Sequence, residues 1–260
     1  MKVGLSIHGK FRVATENTIF AMPETAIGLF PDVGSMYWLP RLQGGIGNYI
    51  GLTGTRLKAD DLIYSGIATH YIPSENVSAF KGNLVEISKG IHNDGNDEVK
   101  KSEVSQLEDI LTKYSSQDIE PSQSFLAKNR TSIDSAFCDV NQVEDIVLNL
   151  EQDGGEFGSK TLTQMRKMSP TSMKVTLEAI KRGNSLRDVA SSLVMEYRLS
   201  QGFMQRPNSD FYEGIRALLV DKDNSPRWNP TSLEQVSNEL VLSFFNSLGD
   251  NDLSLPSSKL

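Results

Sequence analysis

The segment from Phe20 to Ser35 constrains this chain more than any other. It reads Phe-Ala-Met-Pro-Glu-Thr-Ala-Ile-Gly-Leu-Phe-Pro-Asp-Val-Gly-Ser: two carboxylates, Glu24 and Asp32, among apolar residues, glycines, prolines and small hydroxyls. Each acid directly follows a proline, which fixes its own φ and biases the residue before it towards extended backbone. Loop or strand-end backbone is therefore predicted around both acids. Apolar surroundings disfavour a charged carboxylate and raise its pKa towards the range useful for proton transfer near neutrality. Two ordinary roles compete with that reading: Glu24 as a helix cap and Asp32 in a surface turn.

Around this segment the pattern changes character once. Phe11–Thr15 and Thr18–Ala21 read as short strands, and Ala68–Ile72 as another before Pro73. Ile46, Tyr49, Ile50 and Leu52 have helical spacing closed by Gly54, and 58–66 reads as a helix with acids in its first half and glycine at its end. From Glu75 onward helices and polar connections take over. The spacing predicts helices over 76–90, 103–114, 143–150, 169–181 and 186–205, and a last one over 240–245, while 92–101 reads as an exposed loop. Ser169-Pro170-Thr171 is an N-cap followed by proline in the first turn. Three divisions follow: 1–74 with the candidate acids, 75–250 mainly helical, and 251–260 a flexible tail.

The chain's 260 residues suffice for one large domain or one and a half small ones. The net charge of −7 gives no support for a nucleic-acid or anionic-membrane surface, and no apolar run approaches a membrane span. The single cysteine, Cys138, excludes an internal disulfide framework and reads as a small apolar residue rather than a nucleophile. His8, His70 and His92 are scattered, without metal-ligand spacing to Cys138. Gly44-Gly45-Ile46-Gly47 reads as a turn before a helix, and no G-x-S-x-G nucleophile elbow occurs. Unaided, Met195–Leu199 and Arg216–Asp223 read as helix surface and salt-bridge material, Glu213 and Arg216 forming an i,i+3 pair.

The wording of several segments carries more. Gly4-Leu5-Ser6-Ile7-His8-Gly9-Lys10-Phe11-Arg12, Phe20-Ala21-Met22-Pro23-Glu24 and Gly28-Leu29-Phe30-Pro31-Asp32 resemble the crotonase (enoyl-CoA hydratase) superfamily. Met168-Ser169-Pro170-Thr171-Ser172, Met195-Glu196-Tyr197-Arg198-Leu199-Ser200-Gln201 and Glu213-Gly214-Ile215-Arg216-Ala217 continue the resemblance over nearly the whole chain. The run is most similar to the branch that hydrolyses a hydroxyacyl-CoA thioester in valine breakdown. The fold implied is α/β and crotonase-like, truncated at the N-terminus relative to the family pattern, with a mainly helical C-terminal part.

The same resemblance implies the chemistry. Glu24 stands at the family's main catalytic glutamate, which activates water or attacks the thioester itself. Asp32 matches the hydrolase's second acid, which contacts the substrate's 3-hydroxyl. Gly4 occupies the position of the hydratases' other catalytic glutamate, so hydrolysis is favoured over addition of water to an enoyl group. The two backbone amides that hold the oxyanion come from a segment ahead of this sequence and from a glycine at the position of Met1, which places Met1 in the substrate-binding set with Glu24 and Asp32. No cofactor is implied, CoA being part of the acyl-CoA substrate, and the family's helical surface suits homo-oligomers. The other readings are an enoyl-CoA hydratase or isomerase, and a non-catalytic interaction subunit. Ser258-Lys259-Leu260 is a peroxisomal address, with the mitochondrion the alternative.

Overall fold

The computed structural model describes residues 3–90 and 97–255. It contains mostly helix and one very small sheet, and its described residues group into two compact units. The first comprises those of Leu5–Phe20 and Leu57–Lys128; the second, those of Lys2–Gly4, Ala21–Arg56 and Asn129–Leu260.

The first unit is built on a parallel pair. Strand β1 (Val13–Ala14) lies beside β2 (His70–Tyr71), with Val13 opposite His70 and Ala14 opposite Tyr71. Parallel pairing needs a crossover between the strands, and the helix Ala59–Tyr64 lies within it. The Arg12 guanidinium fastens the approach to β2, donating to the carbonyls of Ile67 (2.7 Å) and Gly66 (2.9 Å). The predicted strand over 18–21 shrinks to one antiparallel bridge, in which Phe20 and Leu57 exchange both backbone bonds. Helices Val77–Gly90 and Asp97–Tyr114 close the unit over Ile72, Phe80 and Leu111. Residues 97–101, read as loop, open the second of these helices. Polar composition does not separate a loop from a solvated helix, and the rest of 92–101 lies outside the described residues.

The second unit packs around the helix Pro170–Gly183, whose buried residues run along most of its length. Its start matches the sequence reading: the Ser169 hydroxyl accepts the Ser172 N–H at 3.0 Å, with Pro170 in the first turn. Against it lies Ile46–Thr53, which meets it through Gly51 beside Ile180 and Thr176. Helices Val143–Asp153 and Val189–Gln205 appear near their predicted places. Phe125–Lys128 in the first unit, and Arg130–Phe137, Glu156–Met165 and Asp210–Ile215 in the second, were not anticipated. The final helix is Asn238–Ser243, two residues earlier than its spacing implied, because the Ser237 hydroxyl caps it. Asp252, in the stretch read as a tail, is gripped by both arms of Arg198 at 2.7 Å. Among the described residues, no helix is long and apolar enough to cross a membrane.

Candidate active site

The backbone around Glu24 is tighter than the prolines alone suggested. Pro23 is the N-cap of a single 3-10 turn, Glu24–Ile27, and the Pro23 carbonyl accepts the Ala26 N–H at 3.0 Å. The turn is closed by Gly28 with φ +71°, in the left-handed region that L side chains rarely adopt. A β-carbon on Gly28 would also collide with the Asp210 carbonyl, and one on Gly214 would run into the backbone of Ile27.

Two further bonds hold the turn from the other side. Thr25 is fully buried; its hydroxyl donates to the Leu52 carbonyl at 3.2 Å, and its carbonyl accepts the Ser169 N–H at 3.1 Å. Ser169 in turn donates its hydroxyl to Asp210 (2.6 Å), whose other oxygen accepts the Asn229 N–H at 2.8 Å. The Ser169-Pro170 and Glu213-Gly214 segments singled out in the sequence therefore act as a clamp on the Glu24 turn.

Glu24 itself is half-buried. Its Oε2 has no hydrogen-bond partner, and burial pushes its pKa from the ordinary 4.5 up to about 7, the charge of Asp32 adding to the rise against its own backbone N–H. An acid that titrates near neutrality and keeps an unengaged oxygen is suited to take a proton from water or to attack a carbonyl carbon.

Asp32 lies on a different kind of turn. Phe30 before it is fully buried and stacks on Phe203 with ring centroids 5.9 Å apart. Val33 after it has φ +58°, and Gly34 has φ +82°. A β-branched residue in the left-handed region costs roughly 1–2 kcal/mol, so something must hold it there. The Ser35 hydroxyl donates back to the Pro31 carbonyl, and the Ser35 N–H to the Asp32 carbonyl at 3.1 Å. The larger restraint is Glu196, whose carboxylate accepts the N–H groups of Gly34 (2.7 Å) and Met36 (3.0 Å) and the hydroxyl of Ser192 (2.9 Å). Burial raises the Asp32 pKa too; it also pushes Glu196 up to about 7 despite its three donors, with Asp32's charge contributing.

Glu24 lies within electrostatic reach of Asp32, and a third carboxyl, Glu196, lies within reach of Asp32 as well. Glu196 corrects the reading of 195–199 as helix surface: it is 4% exposed. The signal was present, since Ser192, Leu199 and Phe203 stand at i−4, i+3 and i+7 from it and are all buried. Arg216 does form the expected pair with Glu213, and also reaches Asp221 and Asp223. Met1 and Ser258–Leu260 lie outside the described residues. Cys138 fits its reading: burial and the charges of Asp134 and Asp139 raise its thiol pKa, away from thiolate chemistry. A cavity of about 360 Å³ among Met165, Met168, Met173 and Trp228 is lined by neither acid.

A family model described as enoyl-CoA hydratase/isomerase matches residues 3–245. The chain belongs to that family. Within the enoyl-CoA hydratase/isomerase family, the chain is 48% identical over 256 residues to the mitochondrial 3-hydroxyisobutyryl-CoA hydrolase of Gallus gallus, covering 97% of this chain and 62% of that protein. It is 45% identical over 253 residues to the Homo sapiens protein of the same name, covering 96% of this chain and 61% of that one. The chain therefore spans about six tenths of the length of the curated relatives it matches. Among solved structures it is similar to a carnitinyl-CoA dehydratase from Mycobacterium thermoresistibile, with a TM-score of 0.82 and 30% identity over 97% of this chain and 66% of that one. An enoyl-CoA hydratase from Rhodobacter sphaeroides 2.4.1 gives a TM-score of 0.76 and 31% identity over the same shares. The crotonase fold expected from the sequence is thus the fold of this family member.

Proposed function

We propose that this family member serves hydrolysis of the 3-hydroxyisobutyryl-CoA thioester, with Glu24 as the acting carboxylate and Asp32 as the group that meets the substrate's 3-hydroxyl. The observation that carries the reading is the pair itself: a half-buried glutamate raised to about 7, with a free oxygen, inside the electrostatic reach of a second half-buried acid. Gly4 supports hydrolysis over hydration. A β-carbon there would fall 2.5 Å from Cβ of Val33, so a second glutamate at this position is incompatible with the turn that carries Asp32. The names of the curated relatives agree with this choice.

In the proposed reaction Glu24 takes a proton from water as the water oxygen bonds to the thioester carbon. The resulting oxyanion collapses, the C–S bond breaks, and the proton passes to the departing sulfur, leaving free CoA thiol and the hydroxy acid. Positioned general-base catalysis of this kind contributes about 10²–10⁴-fold. No further cofactor enters this reading, which places the substrate in valine breakdown. Release of CoA thiol from 3-hydroxyisobutyryl-CoA by the purified chain tests the proposal. Glu24→Gln is expected to abolish release, and Asp32→Asn to slow the 3-hydroxyacyl substrate more than isobutyryl-CoA. Equal losses on the two substrates would remove the hydroxyl-contact role.

The solved neighbours named as a dehydratase and a hydratase favour a second reading, water addition to an enoyl-CoA. Loss of enoyl absorbance from crotonyl-CoA, without thiol release, would select it. For location, the peroxisomal reading of Ser258-Lys259-Leu260 stands beside the mitochondrial one that the relatives' names support.

A further inference from the structure

The mechanism above uses two acids and leaves the third unexplained. Glu196 sits on the helix Val189–Gln205, is almost fully buried, and faces no lysine or arginine among the groups that shift its titration. A buried carboxylate without a cation is costly unless hydrogen bonds repay it. Its three donors are unusual in where they lie. One, Ser192, is a turn away on its own helix; the other two are backbone amides bracketing Ser35, two and four residues beyond Asp32.

We propose that Glu196 is the positioning residue for Asp32: by gripping the Gly34 and Met36 amides it holds the Asp32-Val33-Gly34 turn in its left-handed form and so sets where the Asp32 carboxylate stands relative to Glu24. The inference rests on the hydrolase reading for its catalytic consequence. Between the anchored Gly34 amide and the Asp32 α-carbon lie only ψ of Asp32 and the two dihedrals of Val33. Fixing that amide therefore fixes the direction of the Asp32 side chain within a narrow range. Val33, with φ +58°, is held where relaxation to negative φ would relieve strain and swing Asp32 away.

The chemistry of the group matters. A carboxylate has only acceptors and can serve two amides and a hydroxyl at once, whereas an amide side chain turns an NH₂ group towards one of them. The helix that carries Glu196 is itself braced, by Phe203 against Phe30 and by the Arg198–Asp252 fork.

The test is a double-mutant cycle on the full chain, with hydrogen exchange read at the Gly34 and Met36 amides. Glu196→Gln is expected to lower kcat/KM for 3-hydroxyisobutyryl-CoA ten- to hundredfold in the parent, and less than threefold once Asp32 is already asparagine, while at least one of the two amides loses protection. A fall by the same factor in both backgrounds would mean a general structural role and overturn the inference, as would unchanged protection. If Glu196→Gln does not fold, Ser192→Ala withdraws one donor and leaves the carboxylate; two- to tenfold losses that again vanish in the Asp32→Asn background are expected, and additive losses overturn it. A parent chain without thioesterase activity would count against the proposed function alone. The inference would then stand on lost amide protection together with a shifted Asp32 carboxyl resonance in Glu196→Gln, and fall if both were unchanged.

Discussion

Replacing Glu24 with glutamine should change the stability of the protein in a way that depends on pH, and the size of the change can be worked from the site. Burial holds the Glu24 carboxyl at about 7 in the folded chain, against 4.5 when exposed. The folded protein therefore keeps a proton that the unfolded chain gives up, and stability falls as pH rises from 4.5 through 7. At about 1.4 kcal/mol per pH unit, the gap between 4.5 and about 7 amounts to about 3 kcal/mol once Glu24 is fully ionised. Part of that loss is already present at pH 5, so the excess stability of Glu24→Gln over the parent should grow by about 2–3 kcal/mol between pH 5 and pH 8. Glutamine pays its own cost for a buried amide, but that cost does not vary with pH. Glu196, which also titrates near 7, imposes the same downward trend on both proteins and cancels in the difference. Urea unfolding of parent and variant at the two pH values measures it. A difference that stays constant to within about 1 kcal/mol, the scatter of extrapolated unfolding free energies, would refute the claim that Glu24 is held near neutrality by desolvation.

Three further outcomes are expected. The kcat/KM for thioester hydrolysis should rise about tenfold per pH unit below about 7 and level off above it, since only ionised Glu24 accepts a proton; a pH-independent rate from pH 5 to 8 would exclude Glu24 as the base. Gly28→Ala should cost more than about 2 kcal/mol in chemical denaturation, because it combines φ +71° with a collision against the Asp210 carbonyl; a neutral effect would show that the Glu24 turn is not clamped as described. A fluorescent protein carrying Asp250–Leu260 at its end should collect in peroxisomes and become diffuse when Leu260 is removed, and a diffuse signal from the intact segment would remove the peroxisomal address.

Much of this was legible in the sequence, for a reason that differs from element to element. Pro23 and Pro31 announced irregular backbone at both acids, and Ser169-Pro170 announced the helix that clamps the first of them, because proline and cap residues act within a turn of themselves. The 3-10 geometry at Glu24 was not legible. It depends on Gly28 meeting a carbonyl from residue 210 and on Thr25 bonding residues 52 and 169, contacts that no local window contains. The strand expected at 18–21 failed for the complementary reason: a short apolar alternation becomes a ladder only if a partner runs beside it, and here Leu57 supplies a single rung.

Glu196 shows most clearly why the remainder escaped. An acid in a helix is by default assigned to its solvated face, and flanking Arg198 and Ser200 encourage that assignment. The stripe of Ser192, Leu199 and Phe203 argued the opposite, but burial of a carboxylate is credible only once its donors are found, and besides the Ser192 hydroxyl they are backbone amides some 160 residues earlier. Side-chain donors would have left a trace in the sequence as Lys, Arg, Asn or His; amides leave none. The same holds for the Glu24 turn, whose restraints from outside the segment are a carbonyl, an N–H and the close approach of two glycine backbones. The two chemical groups could be named from residue types, whereas what aims them depends on main-chain groups distant in the sequence. Variants that preserve side-chain chemistry but disturb that main chain, at positions 28, 34 or 214, should therefore damage the site as thoroughly as removal of the acids themselves.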